Sequence, residues 1–396
     1  MNPYAAVAPR ALYLHLAFCR RRCRYCSFLS RVMTQSERDD YVNALCCEIR
    51  ALGRRDPAPL ATVYFGGGTP GLLTPGDVGR ILETVEAAFG LLPGAEITLE
   101  VNPGGETAGK LKGFASAGVT RLSVGLQAAQ DSHLAYAGRG HSVADYVRVC
   151  EAAGRAGFAS ISSDILYGLP RQTPEEVAAT VRLALELGSS HLSFYSLSID
   201  PGTVFERLEQ AGKLDPLPDE DTEREMYAVC LELAEAAGLG HYELSNAARP
   251  GHEGRHNLVY WHAEPYQAAG AGASSYTGGV RRRTSSEIGR WMEHWLGPGA
   301  DLDTDLFEEE EAVSRLDAMR EFFWLGLRLT EGVSPARFEE VFGAGLPAGL
   351  RQTAVDLVAE GLLEGTESGG WRLTRVALDI ANVVFRRFLL TEFDIH

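Results

Sequence analysis

Three cysteines, Cys19, Cys23 and Cys26, are spaced C-x3-C-x2-C directly after an alternating apolar run that ends at Leu16. Three thiolates this close on one loop can hold three corners of a [4Fe-4S] cube and leave the fourth iron open to another ligand. An electron carrier closes its cluster with a fourth cysteine, because it gains nothing from an exposed iron. Where a close fourth thiol would fall, this chain has Phe28. Zinc is the competing chemistry, but structural zinc takes four ligands in paired clusters, and no second C-x2-C or H-x3-H partner follows the first. The remaining thiols, Cys46, Cys47, Cys150 and Cys230, fall in helix-like stretches and read as small buried hydrophobes.

Further polar groups interrupt apolar runs at regular intervals. Gly66-Gly67-Gly68-Thr69-Pro70 follows a strand-like segment, and its missing side chains are expected to expose backbone amides to a ligand's carboxylate or amine. Glu100 ends one apolar run, Gln127 the next, and Asp164 lies within a third. Buried polar side chains need partners, and several at successive strand ends point to one shared ligand rather than to separate helix caps. Arg139, between two glycines, has the planar fork that matches a carboxylate. Arginines at 20, 21, 22 and 24 surround the cysteines and favour thiolates. Arginines 281–283 read as a solvated turn.

These residues need a scaffold that brings them together. Strand-like segments at 12–16, 63–65, 97–101, 121–126, 160–166 and 191–199 alternate with helical periodicity at 36–52, 75–89, 107–117, 143–156 and 175–187. Such alternation predicts parallel βαβ units with right-handed crossovers, in an open sheet or an incomplete barrel. The polar motifs all follow strand ends, which favours the barrel. A long helix is expected at 219–237 and a short strand at 241–244. The acidic run 308–311 is expected to open helices through 329. Helices at 334–342 and 350–363, a strand at 371–374 and a last helix at 376–389 complete a mainly helical, winged-helix-like unit.

The spacing of the three cysteines, followed by the glycine motif, resembles the radical S-adenosylmethionine (SAM) superfamily. The segments YLHLAFC at 13–19, YFGGGTP at 64–70, GVTRLSVGLQ at 118–127, DILYGLPRQT at 164–173 and HNLVYW at 256–261 are similar to the oxygen-independent coproporphyrinogen III oxidases and their haem chaperone branch. The resemblance implies an α/β fold, a partial (β/α)6 TIM-like radical SAM barrel over 1–295, with a C-terminal helical domain over 300–396. It implies SAM contacts from Tyr13, Tyr25, Gly67, Gly68, Thr69, Glu100, Gln127, Arg139 and Asp164, and a cluster on Cys19, Cys23 and Cys26 that is reduced by an external electron donor. The oxidases carry a further cysteine two residues after the third and an amino-terminal extension, whereas this chain has Phe28 and begins its first strand near residue 11. His256, Asn257, Tyr260 and Trp261 match a signature associated with haem binding in the chaperone branch. The function implied is therefore haem chaperoning, with delivery to respiratory or storage haemoproteins. Oxidative decarboxylation of coproporphyrinogen in haem biosynthesis, or methyl transfer on the same scaffold, is the alternative.

Composition sets outer bounds. The chain has 396 residues, 45% hydrophobic and 23% charged, as expected of a globular protein with more than one unit. A net charge of -16 opposes nucleic-acid binding, which rests on clustered cations. No apolar stretch suits a signal peptide or a membrane span, and seven cysteines, an odd count, fit a reducing compartment, so a cytoplasmic placement is expected. Peripheral membrane contact with respiratory complexes comes only from the resemblance. The run Phe322, Phe323, Trp324 and Leu325 fits either a homodimer contact or a buried helix.

Overall fold

A computed structural model describes residues 2–302 and 304–392. Six parallel strands carry the architecture: β1 (Ala11–Leu16), β2 (Leu60–Gly67), β3 (Leu91–Val101), β4 (Arg121–Gln127), β5 (Ser160–Tyr167) and β6 (His191–Ser196). They pair in chain order. Parallel neighbours require long crossovers, and helices supply them: α1 (Gln35–Arg55), α2 (Pro75–Ala88), α3 (Thr107–Ala117), the short α4 (Asp131–Tyr136), α5 (Val143–Ala156) and α6 (Pro174–Glu186). Four of these helices start in the same way. Thr34 with Glu37, Thr74 with Asp77, Ser142 with Asp145 and Thr173 with Glu176 form reciprocal capping boxes, so each loop leaving the sheet ends at a defined residue.

After α7 (Val204–Gln210) and α8 (Glu220–Ala236), β7 (Gly240–Glu243) and β8 (Asn246–Ala248) extend the sheet antiparallel beyond β6. A short helix, α9 (Arg255–Trp261), follows, and β9 (Gln267–Ala269) adds to β1 on the opposite edge. The resulting nine-stranded sheet has β7 and β9 as its edges, so the barrel is partial and open. Outward side chains such as Leu14, Phe65, Leu99 and Val124 are fully buried under the helices in a single large core. Inward positions are polar instead: Tyr64, Thr98, Glu100, Ser123 and Asp164 line a cavity. The interior of an ordinary barrel is packed with branched apolar residues; this one is hollow.

Two sequence expectations fail between residues 280 and 312. The acidic run does not open a helix; it forms β12 (Phe307–Ala312) beside β10 (Ser274–Thr277) and β11 (Val280–Thr284) in a three-stranded antiparallel sheet. Arginines 281–283 are correspondingly not a turn but most of β11. Opposite charges across the strands offset the poor strand propensity of glutamate: Arg282 meets Glu310 at 2.8 Å and Arg283 meets Glu309 at 3.3 Å. Arg281 points elsewhere and grips both carboxylate oxygens of Glu321 at 2.7 Å.

Following α10 (Ile288–Leu296), the last part contains α11 (Arg315–Gly326), α12 (Pro335–Phe342), α13 (Ala348–Ala359), a two-stranded wing of β13 (Leu363–Gly365) and β14 (Trp371–Leu373), and α14 (Ala381–Leu389). The expected helix from 376 is broken, with a 3-10 turn at Arg375–Ala377 before α14. A second apolar core fills this part and also takes in Tyr4, Ala263 and Tyr276. Phe322, Phe323 and Leu325 are buried within it, so that run is the inner face of α11 rather than an exposed patch. Among the described residues no helix is long and apolar enough to cross a membrane.

Candidate cofactor site

The cysteine loop leaves the end of β1 and is held in place by its own backbone. Cys19 N donates to Arg31 O at 3.0 Å and Arg31 N to Ala17 O at 3.1 Å, closing the loop at its base. Arg24 N donates to Ala137 O at 2.9 Å and Phe205 N to Arg24 O at 2.9 Å, fixing its tip. All three thiols line the mouth of a cavity of about 360 Å³ at the carboxyl edge of the strands. Cys19 Sγ lies 3.2 Å from Thr69 Oγ1, and Arg139 Nη1 lies 3.7 Å from Cys23 Sγ. Among the described residues the sulfurs lining the cavity are these three, with no fourth: Phe28, 64% exposed, stands at the rim. Among the described residues, no group of three or more His, Cys, Asp or Glu converges on the position of one metal ion. Cys46, Cys150 and Cys230 are buried and Cys47 half-buried, all free thiols away from the cavity.

Deeper in, two carboxyls face the cavity. Glu100 accepts from the Tyr64 hydroxyl at 2.8 Å and from the Gly67 amide, and burial pushes its pKa up to about 8, so it is protonated at neutral pH. Asp164, also raised by burial, accepts from Ser123 Oγ at 2.8 and 3.0 Å and from the Ser193 hydroxyl. Arg139 donates to Gly125 O at 3.0 Å, to the Tyr25 hydroxyl at 3.4 Å and to Asn102 Oδ1, while its Nε is buried with no partner among the described residues. That close approach requires a glycine at 125, where a Cβ would sit 2.8 Å from the guanidinium. Gln127 reaches the cavity from a left-handed backbone, φ 69°, at an irregularity in the β4–β5 register. Such strain is retained where the position of a side chain matters.

The glycine run behaves differently from expectation. Its amides are not free for a ligand: Gly67 donates to Glu100, Gly68 to Leu16 O at 2.9 Å and Thr69 to Phe18 O at 2.8 Å. The glycines instead let β2 pack flush against the exit of β1, since a Cβ on Gly68 would lie 2.4 Å from Phe18 O. Gly67, Gly68 and Thr69 still line the cavity, as do Tyr25, Glu100, Gln127, Arg139 and Asp164. Tyr13 does not; it sits behind the wall, hydrogen-bonded to His15 Nδ1 at 3.0 Å.

The segment His256 to Trp261 is α9. His256 is 1% exposed, and both ring nitrogens are engaged: Nδ1 with Thr62 Oγ1 at 2.8 Å and Nε2 with the Tyr260 hydroxyl at 2.7 Å. Burial lowers its pKa to about 3, so the ring is neutral. His256 and Asn257 reach the cavity, whereas Tyr260 packs edge-on against Tyr266, ring centroids 4.6 Å apart, and Trp261 packs against the second core, where the Arg328 guanidinium lies 4.3 Å over its ring. As folded, these four residues present no open ligand set for a haem iron.

The Radical SAM superfamily model matches residues 13–184, and the HemN C-terminal domain model matches residues 313–380. The haem chaperone HemW of Bacillus subtilis is 35% identical over 384 residues, 96% of this chain and 99% of that protein. The chain belongs to the HemW family. HemW of Synechocystis is 39% identical over 350 residues, 86% of this chain and 83% of the relative. The solved structure of coproporphyrinogen III oxidase (HemN) from Escherichia coli superposes with a TM-score of 0.81, at 22% identity, over 96% of this chain and 90% of that one, which establishes a shared fold. In this HemW-family chain, Tyr64, Asn102, Ser123 and Ser193 complete the polar wall and were not singled out from sequence. Their signal was the period-two placement of polar residues along β2 to β6 and just past the end of β3, visible once the inward face is known.

Proposed function

We propose that the chain is a cytoplasmic haem chaperone: its 1–295 part carries a [4Fe-4S] cluster on Cys19, Cys23 and Cys26 and binds SAM, 300–396 forms its C-terminal module, and it passes haem to haemoproteins such as respiratory or storage proteins. One observation carries the cofactor reading. Three thiols without a fourth stand at the mouth of a polar cavity whose wall holds an unpartnered guanidinium nitrogen at Arg139. Arg139 would take the carboxylate of SAM, and Glu100 its amine, exchanging the acidic proton for a cationic neighbour. Asp164 and Gln127 would take ribose hydroxyls, with Tyr25, Gly67, Gly68 and Thr69 shaping the wall and Tyr13 backing it. When bound, the cluster supplies one-electron reduction of a sulfonium, with electrons from an external donor.

Haem binding is supported by the family, not by a preformed pocket at α9. Ligation by His256 requires the Tyr260 hydroxyl to release Nε2. Protein reconstituted without oxygen should hold about four irons per chain, and Cys23→Ala should abolish the broad cluster absorbance. A zinc-loaded or metal-free preparation with an unchanged spectrum in the variant would sink the cofactor assignment. Incubation with coproporphyrinogen III, SAM and a strong reductant should leave the porphyrinogen intact; formation of protoporphyrinogen would promote the dehydrogenase reading instead.

A further inference from the structure

The proposed cofactors leave the lower end of the cavity unexplained. Thr98 and Arg121 form the first register pair between β3 and β4, and both line the cavity. Arg121 is 5% exposed and donates to Ser160 Oγ at 2.8 Å and His252 O at 2.7 Å. No carboxylate lies within 4.0 Å of it among the described residues. Glu96, in the same wall, is occupied by the amides of Arg255 and His256 at 3.3 and 3.1 Å. Asp164 of the same cavity feels the Arg121 charge only from beyond 4.0 Å, and a buried cation with no carboxylate in contact is expensive to maintain. The Thr98 hydroxyl, 1% exposed, has no hydrogen-bond partner among the described residues, which is uncommon for a buried polar group.

A further donor lies near Arg121. A Cβ on Gly254 would lie 3.9 Å from Arg121 Nη2 and 3.8 Å from Asn257 Nδ2, so both groups border the one residue that has no side chain. The neighbouring His191 adds no charge: its two nitrogens are bonded to Ser162 Oγ and the Tyr242 hydroxyl, both at 2.8 Å, and it is neutral. One cation, hydroxyl and amide donors and a nearby acid suit a monoanion rather than a phosphate dianion.

We propose that this lower chamber is a receptor for a carboxylate, with Arg121 supplying the charge and Thr98 and Asn257 the hydrogen bonds. The carboxylate comes from a small free acid or from a haem propionate, and only the second source rests on the haem-chaperone reading. The test uses the full chain with sodium propionate as probe, followed by isothermal titration, and compares haemin with haemin dimethyl ester by Soret titration. Arg121→Gln should weaken propionate binding at least about tenfold, the loss expected for a hydrogen-bonded charged group. Thr98→Val, which breaks no bond within the protein, should weaken it severalfold. Haemin bound at least about tenfold more tightly than its ester, with the difference erased in Arg121→Gln, identifies a haem propionate as the ligand. Equal binding of haemin and ester with propionate binding retained identifies a free acid. Loss of all haem binding with propionate retained removes the haem reading and leaves the receptor standing. Propionate affinity unchanged in Thr98→Val, or no propionate binding together with equal haemin and ester affinity, overturns it.

Discussion

Glu48 is a buried acid with no role in the cofactor cavity. It is 2% exposed on α1, accepts from Gly270 N at 2.7 Å and Trp291 Nε1 at 3.1 Å, and burial raises its pKa from 4.5 to about 7. The native state therefore holds this proton where the unfolded chain has already lost it. Its contribution to stability is present below about pH 4.5 and is lost as pH rises toward about 7. Glu48→Gln should flatten that slope, measured as urea unfolding at about pH 5 and about pH 8; an unaltered slope would show that the carboxyl is ionised throughout. A second side chain bears on the proposed haem ligand. Tyr260→Phe removes the hydroxyl held by His256 Nε2, so it should tighten haemin binding severalfold while His256→Ala weakens it. Equal affinities in both variants would exclude His256 as a ligand.

At the scale of elements, the junction between β1 and the glycine run matters most, because it sets Thr69 against Cys19. Gly68→Ala would force a Cβ to within 2.4 Å of Phe18 O and 2.7 Å of Leu16 O, both backbone atoms that cannot swing aside. It should destabilise the fold by about 1–3 kcal/mol and displace Thr69. Gly109, inside α3, has nothing within 4 Å of an added Cβ. Gly109→Ala should stabilise by about 0.5–1 kcal/mol through helix propensity alone. Denaturant midpoints of the pair check the contrast, and equal shifts would show that the β1–β2 junction is not tightly packed. The alternating strands and helices of the barrel were legible in the sequence because each βα unit carries its own periodicity and, at four helices, its own cap. The strand at β12 was not, since four consecutive glutamates become a strand only when the arginines of β11, about thirty residues earlier, lie beside them.

For the molecule as a whole, the barrel extension and the carboxyl-terminal part are joined by specific contacts. Leu244 N donates to Arg328 O at 3.1 Å and Thr330 N to Tyr242 O at 3.0 Å, a backbone seam between the barrel extension and the end of α11. Arg328 then covers Trp261 of α9 and lies 5.8 Å from Phe385 of α14. Arg328→Ala should therefore lower the stability of the whole chain by about 0.5–2 kcal/mol, the range for a desolvated cation–π contact. Calorimetry checks this; an unchanged midpoint would mean that the Arg328 contacts with Trp261 and Phe385 add nothing to stability.

The amino-acid sequence by itself determined the three-thiol loop, the order of strands and helices through β6, and which polar residues end those strands. These features depend on neighbours within a few residues, through spacing, periodicity and capping. Tertiary structure alone decided what those residues have left to offer a ligand. It filled the amides of Gly67, Gly68 and Thr69, occupied both nitrogens of His256, left Arg139 Nε and Thr98 without partners, and placed Arg121 beside Thr98. A donor is free or spent according to which atoms the fold brings beside it, and apart from the Tyr260 hydroxyl, which shares α9 with His256, those atoms come from other segments of the chain.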